Sequence, residues 1–397
     1  MEFLFWILLI IIFYSYLGYG LALYTWYSFQ NKNNNHPEED PIDWESLPEI
    51  TLFIAAYNEY EYLEEKILNS LDLDYPQEKL TILFVTDGSD DGSYEYLRKD
   101  ERVHVIHEPE RKGKINAMNR GMQSVRTPYV VFTDCNTYLG RNSLLTIAHL
   151  FEDKEVGCVS GEKRIFGKKT DTASGSGEGI YWQYESAVKH WEASLHTTIG
   201  AAGELFAIRT ELFEEVEPDT ILDDFIISMR IAMKGYKIAY HPNAYAIEAA
   251  SLNVKEEMKR KVRIASGSIQ SILRLKALLN PFEYPLLSWQ YVSHKVLRWT
   301  LTPVSIALLI PLNAYLMLSG PENKLYWTLG LAQAFFYLLA AVGWFLQGKQ
   351  TKTKLIFVPY YFCFMNYAQL VGIFRYLKGK QSVNWEKAGR SKPLQTH

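Results

Sequence analysis

Cysteine is scarce. Cys135, Cys158 and Cys363 are the only 3 in 397 residues, and their isolation suggests neither a metal-ligand set nor a disulfide framework. An excess of positive charge is missing too. Against 45 Asp and Glu stand 41 Lys and Arg, a formal net charge of -4, which argues against a nucleic-acid binder working on bulk electrostatics. No internal repeat or long low-complexity tract stands out. The amino terminus lacks the basic start and small-residue cleavage site of a secretory signal peptide. Glu2 instead precedes an uncharged run, "FLFWILLIIIFYSYLGYGLALYT" over residues 3–25, long enough to cross a bilayer and read here as an uncleaved anchor.

What is present is a folded protein's composition, 48% hydrophobic and 14% aromatic. Apolar density returns in three charge-poor blocks, 296–318, 325–346 and 355–377. Any one block can be a buried core helix. Their concentration at the chain ends predicts membrane helices. The last is the least lipid-like, with Pro359, Asn366, Gln369 and several tyrosines, and a basic tail follows it. The positive-inside bias opposes export of that tail, so a re-entrant or interfacial course is expected for 355–377, leaving the tail cytoplasmic. The expected organisation is an anchor over 1–27, a linker over 28–48, a cytoplasmic domain over 49–280, interfacial and transmembrane helices over 281–378, and a basic tail over 379–397. The linker rests on the polar, proline-punctuated "NKNNNHPEEDPIDWESLPE".

Within the middle domain, apolar strand-like runs alternate with helical patterns. "ITLFIAAYN", "LTILFVTDGSDDGS", "VHVIHE" and "YVVFTDCNT" read as strands, separated by "EYEYLEEKILNSLDL", "YEYLRK" and "KINAMNRGMQSV" as helices. This α/β alternation predicts a doubly wound sheet with ligands beyond the carboxyl ends of its strands. Tyr57, Asn58, Asp87 and Asp134 then line one crevice. Carboxylates at strand ends are costly without partners, and a divalent cation carrying a phosphorylated ligand is the obvious one. Asp134 and Asn136, alternating on an extended segment, point to one side and offer two oxygen ligands to Mg2+ or Mn2+. A polar strand exit with Asn136 in a turn is the plainer alternative, and the crevice setting tips the balance towards the metal.

Two basic segments leave alternatives open. Arg111, Lys112 and Lys114 in "RKGKINAMN" can hold a diphosphate or form a solvated basic turn. Lys259, Arg260, Lys261 and Arg263 in "KRKVRIASGSIQSILR" can stabilise a departing diphosphate or face an anionic bilayer. "IYWQYESAVKHWEASL" reads as an amphipathic helix whose Tyr181, Trp182 and Trp191 are expected to pack on the sheet rather than bind sugar.

In order, "FIAAYNEYEYLEEKILNSL", "ILFVTDGSDDGS", "RKGKINAMN", "VVFTDCNT", "GELFAIR" and "ILDDFIISMRIAMKGYKIAY" closely resemble the glycosyltransferase family 2 catalytic domain over roughly residues 48–275. The membrane flanks resemble those of the bacterial cellulose and hyaluronan synthase branch. The resemblance implies a GT-A nucleotide-sugar-binding fold with a mixed sheet, and inverting transfer from a nucleoside-diphosphate sugar, usually a uridine one. It implies a lipid-linked or glycan acceptor, polysaccharide export partners and an inner-membrane location.

Residue by residue, Ala56, Tyr57 and Glu59 match the first nucleotide-binding segment, and Asp87 matches the uracil-side aspartate. Asp134 matches the first residue of the Asp-x-Asp metal motif, whose third position is here Asn136, one negative charge fewer. Asp223 and Asp224 match the Glu-Asp motif, which implies Asp224 as general base and Asp223 as its orienting neighbour. Without the resemblance the pair can simply complement a helix N-terminus. Arg263 aligns with the arginine of the processive enzymes' Gln-x-x-Arg-Trp motif and is assigned the leaving group. Arg260 and Ile264 replace the Gln and Trp, which puts the long-chain polymerase's acceptor contacts in doubt. Gly203 and Glu204, with Arg260 and the tail residues Trp385 and Arg390, are assigned to the acceptor side. The rival reading is a catalytically silent membrane partner of a polysaccharide assembly complex. Intact Asp87, Asp134 and Asp224 speak against it.

Overall fold

A computed structural model describes residues 1–30, 43–166, 173–249, 251–320, 322–346 and 354–379. By their contacts these form a sheet unit, Tyr27–Phe166 with Lys189–Ala250, and a helical unit, Met1–Trp26, Gly167–Val188 and Ser251–Gln381.

Among the described residues the sheet unit holds eight strands, β1 (Ile50–Ala56), β2 (Leu80–Asp87), β3 (His104–Glu108), β4 (Tyr129–Asp134), β5 (Thr137–Leu139), β6 (Val156–Phe166), β7 (Leu205–Arg209) and β8 (Lys237–Ala249), in the order β3-β2-β1-β4-β7-β6-β8-β5. The four apolar runs legible in the sequence form the parallel half, β3-β2-β1-β4. Ile50, Leu52, Phe53 and Ile54 of β1 are almost wholly buried, which is what a strand covered on both faces requires. The helix Tyr60–Leu71 buries Tyr62, Leu63 and Ile67, and Lys114–Met122 buries Ile115, Met118 and Met122, both at helical spacing. Beyond β4 the sheet turns mixed. β7 runs antiparallel to β4 and β6, while β6 and β8 pair in parallel.

That reversal positions the site. Because β7 is antiparallel, Thr133 near the end of β4 pairs with Leu205 at the start of β7, so Gly203 and Glu204 arrive at the carboxyl edge of the parallel half. Asp87 and Asp134 end β2 and β4 at that edge. β1 lies between β2 and β4, so the two strand ends stand about 10 Å apart at the usual strand spacing. The edge between β1 and β4 is where the strand order reverses, the usual ligand position in open α/β sheets.

Among the described residues, four helices are long and apolar enough to cross a membrane: Glu2–Gln30, Leu301–Ser319, Lys324–Leu346 and Leu355–Leu377. The last, expected to take a re-entrant or interfacial course, is one uninterrupted helix, Lys354–Leu377, that continues through Pro359. The first helix carries a π turn at Tyr14–Gly18, and a second π turn covers Val292–Val296. Beside them Glu185 pairs with Arg298 and, at 3.0 Å, with His294, while Arg298 Nε donates to the Ser15 carbonyl at 2.9 Å. Charges this deeply buried persist only when partnered, and here each has a partner. Tyr181 and Trp182, expected against the sheet, find partners in this unit: Tyr181 lies 6.0 Å from the Tyr361 ring, and Lys261 Nζ lies 5.8 Å from the Trp182 ring.

Candidate active site

The loop after β1 and the loop after β2 fasten to each other. Asn58, with a left-handed φ of 52°, donates from Nδ2 to Asp90 at 2.7 Å and accepts from the Asp90 amide at 3.0 Å. Such a φ is open to asparagine because its short side chain can bond locally, as it does here. Asp91 accepts from the Tyr60 amide at 3.0 Å. Ala56 closes β1, Glu59 is buried just before the helix Tyr60–Leu71, and Arg111 stacks its guanidinium 3.8 Å from the Tyr57 ring centroid. Ala56 thus ends β1, and Tyr57 and Glu59 lie in the turn that follows it.

Asp87 has a definite partner set. Its carboxylate accepts from the Lys112 amide at 3.0 Å and the Gly113 amide at 2.6 Å, with Arg120 Nη2 3.8 Å away. It therefore staples the Arg111–Lys114 loop to the end of β2. This is a third outcome for a loop read as diphosphate ligand or solvated turn.

Lys114 emerges from that staple into the acidic centre. Its ammonium lies 3.1 Å from Asp134 Oδ1 and 3.3 Å from Asp223 Oδ2, so it bridges two carboxylates far apart in sequence. Burial works to lower the Lys114 pKa, and Asp134, Asp223 and Asp224 together reverse this and hold it above the ordinary lysine value. Asp224 is pushed up to about 7, first by burial and then by the adjacent Asp223 charge, with Lys114 opposing. A carboxyl titrating near neutrality can accept a proton at physiological pH. Both aspartates occupy the first turn of the helix Asp223–Met233, so they also complement its dipole, as the plainer reading expected.

The acceptor-side segment is equally tight. Gly203 faces Asp224: a Cβ there would lie 3.0 Å from Asp224 Oδ2. Glu204 makes an ion pair with the buried Lys163, which also pairs with Glu248. Gly200 has φ 84°, and a Cβ on it would come within 2.3 Å of the Phe225 ring. Replacing Gly200 by Ala is expected to destabilise the protein by more than about 1 kcal/mol, the usual cost of left-handed backbone alone, with the clash added. A thermal unfolding midpoint equal to that of the unaltered protein would contradict this.

Asp134 and Asn136 do not alternate along an extended strand. β4 stops at Asp134, Cys135 and Asn136 form a turn, and the Thr137 hydroxyl donates back to the Asp134 carbonyl at 2.8 Å. The turn still suits a hard divalent cation. Among the described residues no group of three His, Cys, Asp or Glu forms a metal cage. Mg2+ or Mn2+ needs none when phosphate oxygens and water complete its shell. Asp134 and Asp223, two carboxylates on one ammonium, leave negative charge that such an ion would balance, and Asp134 with the buried Asn136 would supply oxygens to it.

Arg260 and Arg263 lie on the helix Val254–Arg274 of the helical unit, where Arg260 Nη2 pairs with Glu257 at 2.9 Å. Trp385 and Arg390 fall outside the described residues. Sequence reasoning missed Lys66, Lys163 and Glu248. For Lys66 a signal was present: it occupies the buried stripe of its helix, in line with Leu63, Ile67 and Ser70.

Residues 51–217 match Glycosyl transferase family 2. Over 265 residues the chain is 27% identical to the poly-beta-1,6-N-acetyl-D-glucosamine synthase of Staphylococcus aureus (strain COL), covering 64% of this chain and 62% of that relative. The synthase of the same description from Staphylococcus epidermidis is 24% identical over 233 residues, 57% of this chain and 56% of that one. The chain therefore spans less than two thirds of the length of these relatives. A mannosyltransferase from Pyrobaculum calidifontis, solved in complex with GDP-Man and Mn2+, aligns with 96% of this chain and 99% of its own at a TM-score of 0.70 and 23% identity. That likeness extends to the whole fold.

Proposed function

We propose that the protein, whose residues 51–217 match Glycosyl transferase family 2 and whose fold is of the GT-A class, moves a sugar, with inversion, from a nucleoside-diphosphate sugar to a membrane-proximal glycan or lipid-linked acceptor in polysaccharide synthesis. The observation that carries this reading is the convergence of Asp134, Asp223 and Asp224 on Lys114 at the carboxyl edge of the parallel strands. A silent partner has no use for a carboxyl tuned to about 7 beside that cluster.

In this mechanism the turn after β1, with Tyr57 against Arg111, and the loop stapled by Asp87 receive the nucleoside. Asp134 and Asn136 would hold Mg2+ or Mn2+, which when bound neutralises the diphosphate. The acceptor hydroxyl lies against Gly203, whose missing side chain leaves room beside Asp224. As the hydroxyl oxygen bonds to the anomeric carbon, its proton passes to Asp224, the bond from that carbon to the diphosphate oxygen breaks, and the nucleoside diphosphate leaves with the electron pair. Asp223 and Lys114 fix the orientation of the cluster. Arg263 is assigned to the departing diphosphate, and Glu204 and Arg260, with Trp385 and Arg390, to the acceptor side.

A uridine donor is the first candidate because the family resemblance implies one, and N-acetylglucosamine is the first sugar because the staphylococcal relatives are described as poly-beta-1,6-N-acetyl-D-glucosamine synthases. The test is purified protein with native membranes and a panel of radiolabelled UDP- and GDP-sugars. Label entering a lipid-extractable or polymeric fraction from one donor supports transfer, and no incorporation from any donor sinks it.

Nucleotide sugars are cytoplasmic, so the catalytic domain is assigned to the cytoplasmic face of the inner membrane, with the carboxyl-terminal tail on the same side. A single cysteine at Ser391→Cys, with the native cysteines replaced, is expected to resist an impermeant thiol reagent in intact cells and to react after lysis. Labelling of intact cells refutes the tail's placement.

A further inference from the structure

Lys66 is the most deeply buried lysine among the described residues of the sheet unit, 1% exposed, and its hydrogen-bond partners are neutral oxygens. A charge removed from water at such cost needs a reason. Its ammonium donates to the Thr137 carbonyl at 2.7 Å and to the Thr133 hydroxyl at 3.2 Å, the residues that flank Asp134, Cys135 and Asn136. Around it the same segment is bound at every step. Thr133 Oγ1 donates to the Glu204 carbonyl at 2.9 Å, and Thr137 Oγ1 bonds the Asp134 carbonyl at 2.8 Å. One helical turn further along, Asn69 bonds both the amide of Leu139, at 2.8 Å, and its carbonyl, at 3.0 Å. The helix Tyr60–Leu71 thus clamps the underside of the turn, and Lys66 is the clamp's only cation.

We infer that Lys66 is a positioning residue of the donor site, its buried ammonium holding the Cys135–Asn136 turn in the one shape that presents Asp134 and Asn136 together to the donor diphosphate. The inference rests on the donor-site reading above. It explains why a lysine stands in an apolar stripe. A leucine or methionine there would fill the space and leave the Thr137 carbonyl, at the turn's exit, without its donor. It also accounts for a turn that works with asparagine at its third position. With one carboxylate fewer to draw in a cation, the oxygens must be held in place beforehand rather than gathered by the ion.

The test compares Lys66→Met and the milder Lys66→Gln, which keeps a donor for the Thr137 carbonyl, with a control, Thr51→Val. The control breaks the buried Thr51–Thr127 hydroxyl pair, 2.8 Å long, which joins the start of β1 to the segment just before β4. Cys135, buried within the turn, serves as reporter once Cys158 and Cys363 are replaced. Its rate of reaction with a small thiol reagent reads turn opening without metal or turnover. Calorimetry of UDP binding across a Mn2+ titration reads the donor site. The Met variant is expected to speed Cys135 modification and to raise the Mn2+ concentration for half-maximal UDP binding by about 10–100-fold, the range for residues that orient metal ligands. The Gln variant is expected to fall between, and the control to change neither.

Unchanged Cys135 reactivity in the folded Gln and Met variants overturns the inference. So does faster modification with UDP affinity and Mn2+ half-saturation intact, because the lysine then holds a turn that the donor does not need. If the unaltered protein binds UDP equally with Mn2+ and with chelator, it is the metal reading that fails, and Lys66 is judged on UDP affinity alone.

Discussion

Replacing Asp224 by Asn is expected to lower turnover by about 10²–10⁴-fold, the usual worth of a general base, while donor binding and the helix Asp223–Met233 survive. The two side chains have nearly the same shape, so the change removes basicity and little else. The charge environment supplies two further readouts. In the unaltered protein, transfer needs the carboxylate, so its rate should climb as pH rises through about 7, where burial and Asp223 have pushed this group. Stability should move the other way. An exposed aspartate titrates near 3.9, so between about pH 4 and pH 7 the folded state holds a proton that the unfolded chain gives up, and stability falls as pH rises through that window. Asp224→Asn removes this loss and should raise the unfolding temperature at pH 8 more than at pH 4. Unchanged turnover with that shift in stability would move the proton to another residue and leave the electrostatic account standing.

Asp134→Ala carries the second large effect. Titration of UDP into the unaltered protein is expected to show tighter binding with Mg2+ or Mn2+ than with chelator, and the variant should bind with the weak affinity of the chelated protein in either condition. Lys114 sets the direction of a further change. In the unaltered protein its ammonium is shared between Asp134 and Asp223 at 3.1 and 3.3 Å. Without Asp134 it is left to Asp223, and one negative charge fewer remains to hold its pKa up. Identical UDP affinity with metal and with chelator in the unaltered protein would falsify the assignment of Asp134 and Asn136 as metal ligands.

Much of the site was readable in order of sequence because its motifs sit where strands or helices begin or end. Asp87 and Asp134 could be placed at carboxyl ends since an apolar run that stops on an acidic residue has few other interpretations, and β2 and β4 do end on them. The Asp223–Asp224 pair announced a helix start, and the helix begins there. Lys66, Lys163 and Glu248 stayed hidden for a common reason. Each acts through a partner at least 41 positions away, Thr133 and Thr137 for Lys66, Glu204 and Glu248 for Lys163. A charged residue whose partner is remote reads, in one dimension, as surface. The shape of the Asp134–Asn136 segment was misread for a related reason: strand periodicity was carried two residues past the point where the Thr137 hydroxyl closes a turn.

By itself the sequence determined the local elements: the parallel strands of the first half, the apolar helices at both ends, and the chemical identity of the aspartates, since periodicity, hydropathy and side-chain chemistry are properties of neighbouring residues. The tertiary structure alone decided which of them meet. Strand order put β1 between Asp87 and Asp134, the antiparallel course of β7 carried Gly203 and Glu204 to the end of β4, and the staple of Asp87 to the Lys112 and Gly113 amides delivered Lys114 to Asp134 and Asp223. The pKa of Asp224 follows from those encounters, because desolvation and Coulomb interaction depend on distances through space and not on separation along the chain.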